Sequence, residues 1–314
     1  MNITLSQLEY ILAVDKYRHF QTAADHVFVA QPTLSMQIKK LEDVLGVLIF
    51  DRSKLPVQPT PIGKMIIEQA HETVAAARRI EEIIEQDHED PAGKLHIGVI
   101  PTIGPYLLPG LIANLTGKYN VEFFFEELLT IEIVEKIRSG KLDGGIVSGP
   151  LNESGIDEIV LYYEPLSVYA SASHPLLNMG TINPRDLMME SLWLLTDGHC
   201  FRDQVLQLCR GSRPAGVNKF KYTTGSLEAL TRIIDIQFGY TLLPHLAAAE
   251  IKEEKMRFLR RFSDPVPKRQ VSIIVSKGYA KRRLISLLRE EIVNNLPKGL
   301  ILETEDEVLK WEKN

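Results

Sequence analysis

Apolar positions in the first 60 residues recur at helical intervals. Leu5, Leu8, Ile11, Leu12 and Val14 follow one face and predict a short amphipathic helix. Phe20, Ala23, Ala24 and Val27 predict a second. After a break at Val29–Ala30, a third starts at Gln31-Pro32-Thr33 and runs to about Leu45. Pro32 suits a first helical turn, where its missing N–H costs nothing. In the third helix Leu34, Ile38, Leu41 and Leu45 face inward, which leaves Thr33, Ser35, Met36, Gln37, Lys39 and Lys40 on or near the outside. Two short helices with a tight join, the second rich in amides, hydroxyls and amines, form the pattern of a helix-turn-helix. Glutamine and serine or threonine read base edges, while lysine and arginine engage phosphates. The next segment, "VLIFDRSKLPVQPTPIGK", is expected to be a β-ribbon wing with Arg52 and Lys54 near its tip. The expected DNA contacts are therefore Gln31, Thr33, Ser35, Gln37 and Lys39 on the helix, with Arg52 and Lys54 on the wing. Short amphipathic helix pairs also serve as plain structural units, so this pattern alone leaves that reading open.

From Pro61 the period lengthens. Ile62, Ile66, Ala70, Thr73, Ala77, Ile80 and Ile84 recur at intervals of four or three, a heptad-like stripe. A helix of about 26 residues would be roughly 39 Å long. Its other face is charged and it joins two unlike regions, so it is expected to be a dimerising linker ending in the hinge "QDHEDPAGK". A long helix packed on its own domain is the alternative. From Lys94 strands and helices alternate: "KLHIGVIP", "VEFFFEEL", "LDGGIVSG", "LSVYASA", "LWLLTD", "KFKYTT", "YTLLP" and "VSIIVSKG" read as strands. Such alternation predicts an α/β fold with mainly parallel sheets, whose ligands bind beyond the carboxyl ends of strands. Thr102, Thr130 and His199-Cys200 occupy such positions. The end of the chain, "KGLILETEDEVLKWEKN", is charged; a terminal amphipathic helix around Val308, Leu309 and Trp311, or disorder, is expected there.

Composition narrows the classes. The 314 residues suffice for two or more domains, with 45% hydrophobic and 25% charged residues as in ordinary soluble proteins. The net charge of −5 argues against a general polyanion binder. Residues 1–65 carry net +1 and residues 66–90 net −6, so any DNA binding must use a local patch. No apolar run reaches the roughly 20 residues of a membrane span, and the start has no basic, signal-like region. A cytoplasmic location follows as an expectation, with no membrane partner and with thiols kept reduced. Dinucleotide-binding and phosphate-loop glycine patterns and the nucleophile elbow are missing, and Cys200 and Cys209 do not match structural zinc spacing. No cofactor and no metal are expected, and the chain is read as a regulator rather than an enzyme.

"LEYILAVDKYRHFQTAADHVFVAQPTLSMQIKKLEDVLGVLIFDR" strongly resembles the LysR-type transcriptional regulators, across the whole helix-turn-helix. "KLHIGVIPTIGPYLLP", "SGKLD", "DGHCFRDQ" and "GYTLLP" extend the resemblance along nearly the whole chain to the hydrogen-peroxide-sensing members of that family. The resemblance implies a winged helix-turn-helix over 1–60 and a linker helix and hinge over 61–90. It implies a two-lobed effector domain like a periplasmic binding protein over 91–301, and a tail over 302–314. Lobe I would hold 94–163 and 268–301, and lobe II 164–267. It also implies that Cys200 is the peroxidatic cysteine and Cys209 the resolving one. Thr102 and Thr130 would hold peroxide, His199 would belong to the site, and Arg269 would be an associated basic residue. Homodimers or homotetramers on double-stranded promoter DNA are implied, with hydrogen peroxide as effector and RNA polymerase as a partner.

Two cysteines in a cytosolic protein are usually inert buried thiols. Here His199 and Arg202 can favour a thiolate, as can the start of a helix in "CFRDQVLQLC", where Asp203 also lies. If residues 200–209 are helical, the two Cα atoms stand about 13 Å apart on opposite faces. A disulfide needs about 4.4–6.8 Å, so joining them demands unwinding. The expected function is a peroxide-responsive activator of oxidative-stress defence genes. A LysR-type regulator of a small metabolite, or a thiol peroxidase, stands as the alternative.

Overall fold

A computed structural model of the protein describes residues 3–85, 92–209, 224–279, 281–297, 300, 302, 308 and 309. The chain falls into two compact units, one N-terminal (Met1–His88) and one comprising most of the rest (Glu89–Ile137 and Leu142–Asn314).

The N-terminal unit holds α1 (Leu5–Tyr17), α2 (Phe20–His26), α3 (Gln31–Leu45), the two-stranded ribbon β1 (Phe50–Asp51) and β2 (Gln58–Pro59), and α4 (Pro61–Glu85). Thr4 and Gln7 form a capping box that starts α1. Gly46, at φ +71°, ends α3 in the left-handed conformation that glycine adopts without penalty. Ile11, Val14, Ala23, Ala24, Leu34, Ile38 and Leu41 are buried together with Ile49 and Phe50. Buried Glu42 ties the wing to this core: its carboxylate accepts the N–H groups of Ile49 (2.8 Å) and Phe50 (3.3 Å).

Within its own unit the α4 helix buries a different set of positions from the heptad-like stripe. Among the described side chains of α4, Ile67, Ala70 and Val74 are buried and the helix packs against α1 of its own unit, whereas Ile62, Met65 and Ile80 are exposed. The packed face therefore advances one position from the heptad set and keeps Ala70 in common. Gly63 begins this face, and a side chain there would strike the Ile49 carbonyl just before β1. Of the hinge read in "QDHEDPAGK", residues 86–91 lie outside the described residues, and Ala92, Gly93 and Lys94 open the strand Ala92–Val99 instead.

The second unit contains β3 (Ala92–Val99), α5 (Gly104–Leu115), β4 (Asn120–Glu127), α6 (Thr130–Arg138), β5 (Gly144–Gly149), β6 (Ile156–Ala170), α7 (Cys200–Leu208), α8 (Leu227–Ile234), β7 (Tyr240–Pro244), α9 (His245–Ala249), β8 (Leu259–Arg261), β9 (Lys268–Ser276) and α10 (Arg282–Asn294). Strand order is β4-β3-β5-β9-β6-β7, with β8 on β6. The sheet is mixed, not mainly parallel: β3 pairs in parallel with β4 and β5, but β5–β9, β6–β9, β6–β7 and β6–β8 are antiparallel. Counting strand and helix alternation misses this, because β9 is the chain's return through lobe I and needs no helical crossover beside β6.

The fold is two-lobed. One core gathers Leu95, Ile97, Ile133, Ile146, Ile273 and Leu288; the other gathers Leu166, Val168, Phe201, Leu230, Tyr240 and Leu242. Strand β6 serves both, since its first part pairs with β9 and its last residues with β7.

"LWLLTD" is not a strand. Leu192 alone makes a bridge, to Tyr240, and the Trp193 carbonyl then accepts the Thr241 hydroxyl (2.9 Å), so a side chain ends the ladder. "KFKYTT" lies mostly outside the described residues. Leu309 forms a parallel bridge with Arg269, an extended contact where a terminal helix or disorder was expected; Trp311 is outside the described residues.

Candidate functional site

In the second unit three separate stretches converge on Cys200. The loop after β3 brings Thr102, the start of α6 brings Thr130, and Cys200 opens α7 behind its N-cap His199. All four residues are buried. The Thr130 hydroxyl donates to Cys200 Sγ at 3.4 Å. Arg269 Nη1 donates to Thr102 Oγ1 at 3.0 Å and its Nη2 to the Thr102 carbonyl at 3.1 Å. Residues separated by more than 160 positions are thus clamped by one guanidinium, which also lies over the Phe201 ring at 5.3 Å.

Arg269 is itself held. Its Nε and Nη2 approach Glu164 at 2.8 and 2.7 Å, and both side chains are 0% exposed. The second Glu164 oxygen accepts the Leu246 N–H at 2.7 Å, so this buried carboxylate is satisfied at both oxygens. Glu164 was not singled out in the sequence. A lone carboxylate in "LYYEPLSVYA" was the available signal, because a charge in a buried strand must be paired.

Burial pushes the Cys200 thiol up, against the thiolate-favouring environment expected from sequence. Pulling the other way are the Thr130 hydroxyl, the Arg269 charge and the N–H groups of Ser148 and Phe201. Arg202 is not among them. Its guanidinium pairs with Asp197 (2.9 Å) and the Leu195 carbonyl (3.0 Å), so it braces the loop before the helix. Burial lowers the His199 pKa, which leaves the imidazole neutral at pH 7 and able to donate or accept but not to supply charge. Gly225 gives the ring its room: a Cβ there would come 2.9 Å from Nε2. Asp203 sits in the first turn of α7, half-buried, where a carboxylate favours the helix start.

Cys209 ends α7, and both cysteines are free. Cys200 packs in the lobe I core, whereas Cys209 packs in the lobe II core. Burial raises the Cys209 thiol to about 11, moderated by a hydrogen bond with Tyr240. The Tyr240 hydroxyl is held in place by the Met188 carbonyl, to which it donates at 3.0 Å. Gln204, one turn after Cys200, is fully buried: its Oε1 accepts the Ser148 hydroxyl (3.0 Å), and its amide donates to the carbonyls of Gly149 (3.4 Å) and Leu309 (3.3 Å). Tyr240 and Gln204 were missed in the sequence. The i, i+4 spacing of Cys200 and Gln204 was the legible signal for the second.

In the head, α3 exposes Thr33, Met36, Lys39 and Lys40, with Gln31, Ser35 and Gln37 half-buried. Gln37 accepts from Gln7 Nε2 at 3.3 Å. Arg52 is engaged within the fold: it donates to Glu42 (3.0 Å) and to Ser35 (3.2 Å) and covers the Phe20 ring at 4.9 Å. Lys54 is exposed, 3.7 Å from Asp51. Among the described residues no group of three or more His, Cys, Asp and Glu could hold a metal, and no helix is long and apolar enough to cross a membrane. A cavity of about 310 Å³ is lined by Tyr106, Glu228, Arg232, Asp235 and Lys255 among others, and by none of the residues expected at the site.

A helix-turn-helix head and a two-lobed α/β unit define the class of two-module DNA-binding regulators. Residues 5–64 match the model of the bacterial regulatory helix-turn-helix protein, lysR family, and residues 88–297 that of the LysR substrate binding domain. The chain belongs to the LysR family of transcriptional regulators. It is 35% identical over 292 residues to the DNA-binding transcriptional dual regulator OxyR of Escherichia coli K12, covering 92% of this chain and 95% of that one. It is equally similar, 35% over 291 residues (92% and 96%), to the hydrogen peroxide-inducible genes activator of Pectobacterium carotovorum. Among solved structures, a full-length OxyR variant from Pseudomonas aeruginosa superposes with a TM-score of 0.78 at 35% identity, covering 98% of this chain and 99% of that one. A hydrogen-peroxide-bound OxyR mutant from Corynebacterium glutamicum superposes at 0.60 with 27% identity over 94% and 92%.

Proposed function

We propose that this chain is a peroxide-responsive transcription regulator with Cys200 as its sensor. The supporting observation is the placement of the two thiols: Cys200 receives the Thr130 hydroxyl in one core, and Cys209 ends the same helix in the other. In the first step the Cys200 thiolate attacks one oxygen of hydrogen peroxide. The S–O bond forms as the O–O bond breaks, and the leaving oxygen takes a proton and departs as water. Thr102, Thr130 and neutral His199 supply the polar groups around the reacting atoms, and Arg269 offsets the negative charge. In the second step the Cys209 sulfur attacks the sulfenic sulfur, and the disulfide forms with loss of a second water. Two thiols give up two hydrogens to peroxide, and two waters result.

The head spans 1–60, the linker helix and hinge 61–90 and the effector domain 91–301. Lobe I takes 94–163 and 268–301, lobe II 164–267, and the tail 302–314. The protein works in the cytoplasm as a homodimer or homotetramer on promoter DNA. Refolding of residues 200–209 changes subunit geometry, which alters the grip of Gln31, Thr33, Ser35, Gln37, Lys39, Arg52 and Lys54 on DNA and the contact with RNA polymerase. It consumes peroxide as a signal and does not turn over as an enzyme. Intact mass after peroxide, with and without Cys200, alongside a promoter footprint, tests the reading. It predicts a loss of two hydrogens and a shifted footprint, both abolished in Cys200→Ser. An unchanged mass in the wild type, or a footprint that shifts without Cys200, would overturn it.

A further inference from the structure

Leu309 is remote in sequence from the thiols, yet it touches both halves of their site. Its N–H donates to the Lys268 carbonyl at 3.0 Å, and it bridges to Arg269, whose guanidinium clamps Thr102. Its carbonyl accepts from Gln204 in the middle of α7 at 3.3 Å. Its side chain is partly buried against the lobe II core. One residue near the C-terminal end thus connects β9 to the helix that carries the two cysteines.

The Gln204 amide has two N–H donors and one acceptor oxygen. In the thiol form all are engaged: Ser148 gives to the oxygen, and Gly149 and Leu309 accept from the nitrogen. Gln204 is 0% exposed, so a donor that lost its acceptor would be left unsatisfied away from water. A Cys200–Cys209 bond requires α7 to unwind, and unwinding carries Gln204 off these partners. The contact with Leu309 therefore exists only on the thiol side of the equilibrium.

We propose that Leu309 is a positioning residue of the thiol switch, holding Gln204, and through it α7, in the helical form in which Cys209 is kept away from Cys200. The proposal rests on the reading that these two cysteines join. The C-terminal segment then sets how readily the second step follows the first, while leaving the first step, which takes place beside Thr130, untouched. Loosening it favours the disulfide both kinetically and at equilibrium.

Two full-frame variants test this beside the wild-type protein: Leu309→Pro, which removes the N–H given to Lys268, and a chain ending at Glu307. Rapid-mix oxidation with hydrogen peroxide, quenched by thiol alkylation and read by mass, separates sulfenic acid formation from disulfide formation. The expected result is an unchanged first rate and a second rate raised at least about fivefold, the scale of losing a buried hydrogen bond. In dithiol–disulfide buffers, where no peroxide enters, the same variants should shift toward the disulfide by a similar factor. An unchanged second rate and equilibrium in both variants would overturn the proposal. So would an equal fall in both steps together with a lower melting temperature, which would mark the segment as support for the fold alone. If the wild type forms the disulfide in the buffers but not with peroxide, the peroxide reading fails while the buffer arm still decides on Leu309.

Discussion

Cys200 and Cys209 lie at opposite ends of one nine-residue helix, each 2% exposed, and are packed into different hydrophobic cores. Nine helical steps separate their Cα atoms by about 13 Å. A bond between them cannot coexist with this helix, so oxidation should open backbone over residues 200–209. Limited proteolysis of thiol and disulfide forms checks this: new cleavages are expected in the oxidised wild type only, and none in Cys209→Ser. The same cleavage pattern in both states would contradict it.

The Thr130 hydroxyl is the side chain that bonds directly to Cys200 Sγ. Because burial holds the Cys200 thiol above its usual range, the rate of reaction with peroxide should climb as pH rises through neutrality. Thr130→Val keeps the shape and removes the donor, which pushes the thiol further up. Oxidation at pH 7 should slow by about three- to tenfold, on the scale of one net hydrogen bond, and the pH profile should move to the alkaline side. Stopped-flow rates across pH 6–10 measure both effects.

Glu164 and Arg269 form an ion pair with no exposure to solvent. Arg269→Met leaves a buried carboxylate without its cation and should cost about 3–5 kcal/mol in urea unfolding. It should also slow Cys200 oxidation, because the guanidinium pulls the thiol pKa down and fixes Thr102. Exchanging both residues for apolar ones should recover much of the stability but not the reactivity.

Cys209 gives a pH signature of its own. Its thiol is raised to about 11 in the fold from an ordinary 9.0, so the native state favours the protonated form. That contribution is fully present below pH 9 and is lost as pH rises toward 11. Wild-type protein should therefore lose more unfolding free energy between pH 8 and 10.5 than Cys209→Ala does. Equal losses would show that the thiol is not a source of the alkaline sensitivity.

In the head, Arg52 and Lys39 should separate by their effects. Lys39 is exposed on α3, and Lys39→Ala should weaken binding to all DNA and lower the salt slope by about one. Arg52 is bound to Glu42 and Ser35, so Arg52→Ala should destabilise the head by about 1–2 kcal/mol, less than the roughly 1.5–3 kcal/mol of a buried charge-assisted hydrogen bond because Arg52 is partly exposed. Thermal unfolding and fluorescence titrations at several salt concentrations distinguish the two.

Much of this architecture was legible in the residues. Leu34, Ile38 and Leu41 form the inner face of the third helix as their spacing required, because a helix repeats with a fixed period. Thr102, Thr130 and Cys200 share one site because each follows or begins an element at the same end of the lobes. Strand direction was not legible, since β6 and β9 pair across more than 100 residues and no local pattern records that register. Arg202 was misread for a related reason: its distance in sequence from Cys200 gives no hint that Asp197 takes its charge. Tyr240 and Leu309 reach the site only through tertiary contacts, whereas Gln204 sits one turn from Cys200 on the same helix.

The 15-residue strand β6 carries one further implication. Its ladder with β9 runs from Ile156 to Pro165, interrupted by a bulge at Leu161, and Leu166 takes up pairing with β7 at once. A clamshell motion would have to flex this shared spine, whereas rewinding α7 leaves it alone. On the proposed reading, oxidation should therefore alter the outer contour around α7 more than the angle between the lobes.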